Sequence, residues 1–208
     1  MLNTKPARPA RSIAAALLGL ALAAPGMVLA DGLSVGAILP ESWPSAAQAQ
    51  ALRMEVVACD AFVPEAAMHE AGVASVDVDT LFESSDVVTL HAPLTDGTRH
   101  VVNARRLAQM RSDAYLVNCA RAGLVDHRAL GDALGHGVIA GAAIDVFPHE
   151  PPPADEPAFG WPNLIVQPHS AWYSPEASLA PYTRQIEDRK STRLNSSHSQ
   201  QSRMPSSA

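Results

Sequence analysis

The chain has 208 residues, of which 47% are hydrophobic and 17% are charged, and its formal net charge is −6. This length suits one domain or slightly more, and the apolar content is sufficient for a hydrophobic core. The acidic balance and the absence of a long basic run argue against direct binding to nucleic acid. The two cysteines, Cys59 and Cys119, form no CxxC pair, so no disulfide framework or zinc site is indicated, and we expect two buried, reduced thiols at strand ends.

The first thirty residues have the order of a secretory signal peptide. Basic residues precede the apolar run 13–24, and Val28 and Ala30 have the spacing of a small-residue cleavage site. The run is too short for a membrane span. Two alternatives are a helix that belongs to the fold and an out-of-frame translation of the residues before 46. We favour the second alternative and expect a cytoplasmic protein without a membrane partner.

From residue 54 onward, short apolar runs alternate with segments of helical composition. The runs are "MEVVACD", "DVVTLHAP", "AYLVNCA", "VIAGAAIDV" and "LIVQPH". Strands that are apolar throughout and are separated by helices predict a parallel sheet that is covered on both faces. This is a doubly wound, Rossmann-like α/β domain. We expect it to extend over residues 31–178, with the clearest pattern from residue 51.

The helical segments between these runs have recognisable ends. The expected N-caps are Asp79, Asn103 and Asp126. Glycines at positions 72 and at 135 or 137 are expected to end two of the helices. Pro40 and Pro44 fall where the first helix of the domain should begin, and two prolines in that span fit a helix poorly.

Each apolar run leads into a titratable residue. In chain order these residues are Asp60, His91, Arg121, Asp145 with Glu150 five residues later, and His169. The carboxyl ends of parallel strands lie at one edge of a sheet, where such folds bind their ligands. The set therefore predicts a binding site. Asp60 could accept hydrogen bonds from the ribose hydroxyls of NAD and repel the 2′-phosphate of NADP, or it could simply begin a turn.

Three of these residues suit the reduction of a 2-keto acid. His169 can give a proton to a carbonyl oxygen and take it back in the reverse reaction. Glu150, if it is within hydrogen-bond reach, would orient the imidazole and favour its protonated form. Arg121 presents a planar fork that matches a carboxylate. A nicotinamide cofactor would supply the hydride.

Four segments, "DVVTLHAPLTDGTRHVVN", "YLVNCARAGLVDHRAL", "GAAIDVFPHEPPP" and "LIVQPHSAWYS", resemble the D-isomer-specific 2-hydroxyacid dehydrogenases in the right order over residues 51–178. The form "HSAWYS" is most similar to the C-terminal-binding-protein-like and phosphoglycerate dehydrogenase-like branch. The resemblance implies an NAD-dependent oxidoreductase of D-2-hydroxy acids. It implies catalytic roles for Arg121, Glu150 and His169 and substrate contacts from Arg121 and Trp172. It implies cofactor contacts from Asp60, His91, Pro93, Asn118, Cys119, Ala120, Asp145 and His169.

The sequence departs from the family pattern before residue 51. The family carries G-x-G-x-x-G about twenty residues before the ribose acid, because glycines let the backbone approach a pyrophosphate. Gly36 and Ala37 are what remains of that motif here, and Gly36 is the candidate for this contact. The flavodoxin-like substrate domain of the family is also expected to be absent. These departures predict a truncated cofactor-binding fragment.

The C-terminal part of the chain leaves several interpretations open. Residues 179–190 look like the start of a C-terminal helix, whereas residues 191–208 are Ser-rich, lack periodicity and look unlike part of the native fold.

Two alternatives to an enzyme stay open: a non-catalytic NAD(H)-binding corepressor or sensor, and a non-functional gene fragment. The resemblance implies a homodimer through residues 96–111, and Trp172 indicates an apolar or aromatic side chain on the substrate.

Overall fold

A parallel sheet organises the part of the chain that the computed structural model describes, residues 33–38 and 44–171. The sheet has seven strands in the order β3-β2-β1-β4-β5-β6-β7, and all neighbouring strands are parallel. The strand order reverses between β1 and β4, which is the arrangement of a doubly wound domain. The expected fold class is therefore confirmed.

The strands are β1 (Ser34–Ile38), β2 (Glu55–Cys59), β3 (Ala74–Ser75), β4 (Val87–Leu90), β5 (Tyr115–Asn118), β6 (Gly141–Ile144) and β7 (Leu164–Val166). The helices are α1 (Pro44–Ala51), α2 (Glu65–Glu70), α3 (Val78–Ser84), α4 (Ala104–Gln109) and α5 (His127–Gly135), and short 3₁₀ helices occupy Ala122–Leu124 and Pro157–Gly160. All five expected apolar runs contain a strand. Within the described ranges, no helix is both long and apolar enough to cross a membrane.

The helix ends confirm two of the three expected N-caps. The Asn103 side chain accepts a hydrogen bond from the Arg106 amide, and Asp126 accepts one from the Ala129 amide. The third prediction is wrong, because Asp77 caps α3 by accepting from the Asp79 and Thr80 amides. Asp77 has the extended backbone of an N-cap, whereas Asp79 lies in the first turn.

Two further expectations from the sequence need correction. Pro44 is compatible with a helix because α1 begins at this residue, where a backbone N–H has no helical partner. Pro40, the signal-like segment and residues 172–208 lie outside the described residues. The prediction of two buried thiols is wrong, because Cys119 is exposed and Cys59 is half-buried. Both residues lie at the sheet edge, where the strands give way to loops.

Two apolar layers cover the sheet. Side chains of α1 and α2, including Ala46, Ala49 and Met68, pack with Val35 and Val56 on one face. Side chains of α3, α4 and α5 pack on the other face against residues such as Val88 and Leu116. The burial of hydrophobic side chains on both faces fixes the register of the strands. The loops at the carboxyl ends of the strands therefore start from fixed positions.

Gly36 lies inside β1, between Val57 of β2 and Val88 of β4. A Cβ atom at this position would lie 2.7 Å from Leu81 Cδ2 and closer still to Ser85 Oγ. The missing side chain therefore lets α3 pack directly on the sheet. This packing explains a glycine at position 36 without any contact to a ligand.

We predict that Gly36→Ala lowers the free energy of unfolding by about 1–3 kcal/mol, because the added methyl group overpacks the contact with Leu81 and Ser85. Urea unfolding measures this difference. Gly97→Ala is the matched control, since its added Cβ would meet only Thr95 Oγ1 at 3.9 Å. Equal unfolding midpoints for the two variants would contradict the packing role of Gly36.

Candidate active site

Two adjoining clefts open at the carboxyl edge of the sheet. The first, which we name the Asp60 cleft, has a volume of about 790 Å³ and is lined by Asp60, Phe62, His91, Ala92, Pro93, Leu94, Ala120 and Arg121. The second, the His169 cleft, has a volume of about 660 Å³ and is lined by Leu94, Arg99, His100, Arg121, Ala122, Gly123, Val125, His127, Val146, Phe147, Pro148, Glu150 and His169. Leu94 and Arg121 line both clefts. The sheet therefore brings together most of the residues that the sequence singled out.

Asp60 follows β2 directly and holds the turn that leads to α2. Its Oδ1 accepts hydrogen bonds from the amides of Phe62 at 2.7 Å and Val63 at 3.1 Å. Its Oδ2 is buried and has no hydrogen-bond partner. A carboxylate oxygen without a partner is costly to bury, so it is suited to receive a donor from a ligand. Phe62, which is 88% exposed, stands beside it at the cleft wall.

His91 follows β4 and is half-buried in the wall of the Asp60 cleft. Its Nε2 lies 3.1 Å from Thr89 Oγ1. Burial lowers the pKa of His91, because desolvation disfavours the charged imidazolium. His91 is therefore neutral at neutral pH.

Asn118 and Arg121 form the turn after β5. Asn118 is fully buried, its Nδ2 donates to the Arg121 carbonyl at 3.0 Å, and its Oδ1 accepts from the Ala120 amide at 3.1 Å. Both polar groups of the amide are thus used to shape the turn. The Arg121 guanidinium donates to the Ala120 carbonyl at 2.7 Å and is exposed where the two clefts meet. Asn118 therefore positions Arg121.

Asp145 holds the loop that carries His169. Its Oδ1 accepts from the Ser170 amide at 2.8 Å and its Oδ2 accepts from the Ala171 amide at 2.9 Å. The residue is only 2% exposed, and both carboxylate oxygens are engaged. Its role in the described structure is to orient the loop. Desolvation of the thiol, with a smaller contribution from the Asp145 carboxylate, raises the pKa of Cys119 to about 11, so this thiol stays protonated at neutral pH.

His169 and Glu150 form a close pair in the second cleft. His169 Nδ1 lies 2.6 Å from Glu150 Oε2, while Glu150 Oε1 accepts from the Phe147 amide at 3.0 Å. His169 has φ of +55°, a left-handed backbone that costs a residue with a Cβ about 1–2 kcal/mol. The contact of its imidazole with Glu150 and the hydrogen bonds of Asp145 to the next two amides hold this residue in place. Such strain is typical of residues at ligand sites.

The charge of Glu150 is stabilised by its two partners. The hydrogen bond with His169 and that from the Phe147 amide lower the pKa of Glu150 below its ordinary value. The carboxyl group is therefore ionised at neutral pH. An ionised carboxylate only accepts hydrogen bonds, so Nδ1 of His169 carries a proton and donates it to Glu150.

The structure does not bring every predicted site residue together. Gly36 lies within β1, and Cys119 and Asp145 line neither cleft. Trp172 lies outside the described residues. The sequence analysis missed Phe62, Leu94 and the pair Arg99 and His100. Phe62 was detectable as an aromatic residue two positions after Asp60, but nothing in the sequence showed that the loop 94–100 folds back over residues 121–123.

Comparison with known proteins identifies the family. A family model described as "D-isomer specific 2-hydroxyacid dehydrogenase, NAD binding domain" matches residues 44–171. The chain belongs to the D-isomer specific 2-hydroxyacid dehydrogenase family. The match covers all described elements except β1, so residues 44–171 are an NAD-binding domain of this family, and the resemblance in the sequence is confirmed.

Curated relatives place the chain beside the phosphoglycerate dehydrogenases. It is 40% identical over 134 residues to a D-3-phosphoglycerate dehydrogenase of Methanocaldococcus jannaschii, a match that covers 64% of this chain and 25% of the relative. It is 45% identical over 139 residues to a glycerate dehydrogenase of Methylorubrum extorquens, over 64% of this chain and 40% of the relative. The chain thus spans well under half of the length of these relatives.

Solved structures share the fold. A D-lactate dehydrogenase of Aquifex aeolicus, complexed with NAD and lactic acid, superimposes with a TM-score of 0.66 at 27% identity, over 78% of this chain and 54% of that chain. An NAD-complexed 2-hydroxyacid dehydrogenase of Lactobacillus delbrueckii gives a TM-score of 0.60 at 33% identity, over 70% and 48% of the two chains.

The residues of the Asp60 cleft fit NAD. The unpartnered Oδ2 of Asp60 has the chemistry to accept a hydrogen bond from a ribose hydroxyl, and its negative charge disfavours a 2′-phosphate in the same place. His91 and Pro93 supply the opposite wall, and Ala120 leads to Arg121 at the junction of the clefts. Gly36 is not among the lining residues of either cleft, so a contact with the pyrophosphate stays a prediction for it.

We predict that Asp145→Ala loosens the loop of His169 because two backbone N–H groups lose their acceptor. The amides of Ser170 and Ala171 should exchange hydrogen about tenfold faster or more, as expected for lost hydrogen bonds to a charged group. Hydrogen exchange followed by NMR measures this rate. Asp132→Ala, at an exposed position of α5, is the control, and unchanged exchange in Asp145→Ala would contradict the role.

We predict that His169→Ala raises the pKa of Glu150 toward its ordinary value, because the hydrogen bond that contributes most to the lowered pKa is removed. Carboxyl ¹³C NMR titration measures this pKa, and His149→Ala, at an exposed neighbouring position, should leave it unchanged. Folding lowers this pKa, so the contribution of Glu150 to stability is complete above its ordinary pKa. It is lost as the pH falls through the lowered value. An equal Glu150 pKa in the wild type and His169→Ala would contradict the pair.

Proposed function

We propose that the chain is the cofactor-binding part of an NAD-dependent D-2-hydroxyacid dehydrogenase that interconverts 2-keto acids and D-2-hydroxy acids. The observation that carries this proposal is the 2.6 Å contact between His169 Nδ1 and Glu150 Oε2 in a cleft that also contains Arg121. One cleft is therefore lined by an acid–base group, the carboxylate that orients it and a cation for the substrate.

Arg121 binds the substrate carboxylate in this proposal. Its guanidinium keeps several N–H donors after the single bond from Nη1 to the Ala120 carbonyl. These donors form a planar fork that pairs with a carboxylate in a bidentate manner. The position of Arg121 at the junction of the clefts directs the adjacent keto carbon toward the Asp60 cleft. NADH bound there supplies the hydride.

His169 moves the proton. Because Nδ1 donates to Glu150, Nε2 is the ring nitrogen that exchanges a proton with the substrate oxygen. Reduction requires the imidazolium, which donates its Nε2 proton to the substrate oxygen. Oxidation of the alcohol uses the neutral ring as the base. Glu150 acts through His169 and is a positioning residue.

Efficient turnover requires additional protein that covers the side chains of His169 and Glu150. The side chains of His169 and Glu150 are 42% and 37% exposed. Hydride transfer is efficient only when water is excluded and the reactants are aligned, which closure of a second domain provides. The segment 96–111, apart from Arg99 and His100 in the lining of the His169 cleft, is the candidate surface for a homodimer, and the cytoplasm is the compartment that we propose.

We predict that the chain, saturated with NADH, slowly reduces 2-keto acids such as pyruvate and hydroxypyruvate. His169→Ala should lower the single-turnover rate about 100-fold or more, because the proton donor is lost. The decrease in NADH absorbance at high chain concentration measures this rate. His149→Ala is the control.

NADH fluorescence titrations separate binding from catalysis. NADH binding should be equal in the wild type and His169→Ala, so that the loss of rate is assigned to proton transfer. Tight NADH binding without turnover of any keto acid would overturn the enzymatic proposal in favour of a cofactor-binding sensor. A urea melt without a cooperative transition would instead support a non-folding fragment.

A further inference from the structure

The lining of the His169 cleft contains more cationic groups than one carboxylate requires. Two arginines, Arg99 and Arg121, line it, and Glu150 is the one carboxylate among the lining residues. Glu150 is already engaged by His169 and by the Phe147 amide. The cleft therefore presents net positive charge to whatever enters it.

Arg99 is a cation of this cleft without a carboxylate partner among the described residues. Arg105 pairs with Asp79 and Arg111 with Asp113, but Arg99 is exposed at the cleft and enters no such ion pair in the described ranges. An unpaired arginine beside a reaction site is available for an anionic ligand group. Arg121 is assigned to the carboxylate next to the keto carbon, so Arg99 is left for a second anion.

The backbone around Gly123 positions Arg99. A Cβ atom at Gly123 would lie 2.8 Å from Leu94 Cδ2 and 3.5 Å from Arg99 Nη1, so the glycine lets this loop approach the turn after Arg121. The His100 amide donates to the Gly123 carbonyl at 2.9 Å. His100 has φ of +50°, a strained backbone that this contact maintains. His100 and His169 are thus two strained residues in one cleft, as is common at ligand sites.

We propose that Arg99, assisted by His100, binds a second anionic group of the substrate. The preferred substrates are then 2-keto and 2-hydroxy acids whose side chain ends in a carboxylate, phosphate or sulfonate. The volume of about 660 Å³ leaves room for a chain longer than that of pyruvate. This inference rests on the proposed function. It differs from the apolar side chain that Trp172 indicates.

The test compares ligands that differ in the side chain. The 208-residue chain is saturated with NADH, which cannot accept a hydride from a hydroxy acid, so that binding is measured without turnover. D-Lactate, D-malate and D-3-phenyllactate are titrated, and NMR shifts give each Kd. Arg99→Gln and Arg121→Gln are compared with Arg128→Gln, the control at an exposed arginine that lines neither cleft.

We expect D-malate to bind about tenfold more tightly than D-lactate, the factor that corresponds to one additional charged hydrogen bond. Arg99→Gln should abolish this difference and leave the Kd of D-lactate unchanged. Arg121→Gln should weaken the binding of both acids. Arg128→Gln should retain the wild-type ratio.

Four outcomes would overturn the inference. Equal Kd values for D-malate and D-lactate, with binding that still depends on Arg121, would remove the second anion site and leave the proposed function intact. A ratio that persists in Arg99→Gln would assign the discrimination to other residues. Tighter binding of D-3-phenyllactate than of D-malate would favour an apolar side chain. If no acid binds and Arg121→Gln has no effect, the proposed function fails together with this inference.

Discussion

The Asp145 carboxylate joins two segments whose residues are 25 or more positions apart in the sequence. It lies just after β6 and accepts hydrogen bonds from the amides of Ser170 and Ala171, so the loop after β7 is attached to the end of the neighbouring strand β6. These two hydrogen bonds fix the residues that directly follow His169, whose backbone is left-handed. The distance between His169 and Glu150, and with it the orientation of the imidazole, depends on this buried acid. The chemistry of the site thus rests on a residue that lines neither cleft.

At the same edge of the sheet, the loops after different strands supply different groups to the two clefts. The loop after β2 carries an acid with one satisfied and one unsatisfied oxygen, which is a ready acceptor for a ribose. The loop after β5 is shaped by the buried Asn118 and presents Arg121 between the two clefts. A cofactor on one side and an organic acid on the other would therefore meet at Arg121. This geometry requires the strand order to reverse between β1 and β4, which opens the edge.

Local sequence signals explain most of the fold but only part of the site. Apolar runs bounded by polar residues predicted the strands, because a strand that is buried on both faces needs apolar side chains at nearly every position. Asn103 and Asp126 were identified as caps, whereas Asp77 and Asp79 are both plausible in "DVDT" and only the backbone decided between them. Gly36 illustrates the same limit. A glycine near a phosphate-binding motif and a glycine under a packed helix look alike in a sequence, and here the contact with Leu81 accounts for it.

The sequence by itself determined the fold class and the family, and it predicted a site at Arg121, Glu150 and His169, because apolar strands that end in titratable residues form a pattern of local chemistry and order. The tertiary structure decided which of these groups touch. It placed His169 against Glu150 and left one carboxylate oxygen of Asp60 without a hydrogen-bond partner. Both carboxylate oxygens of Asp145 accept hydrogen bonds from backbone amides. The tertiary structure also brought Arg99 beside the turn after Arg121. Such contacts depend on the packing of loops from different strands, and that packing is a property of the whole sheet that no short segment encodes.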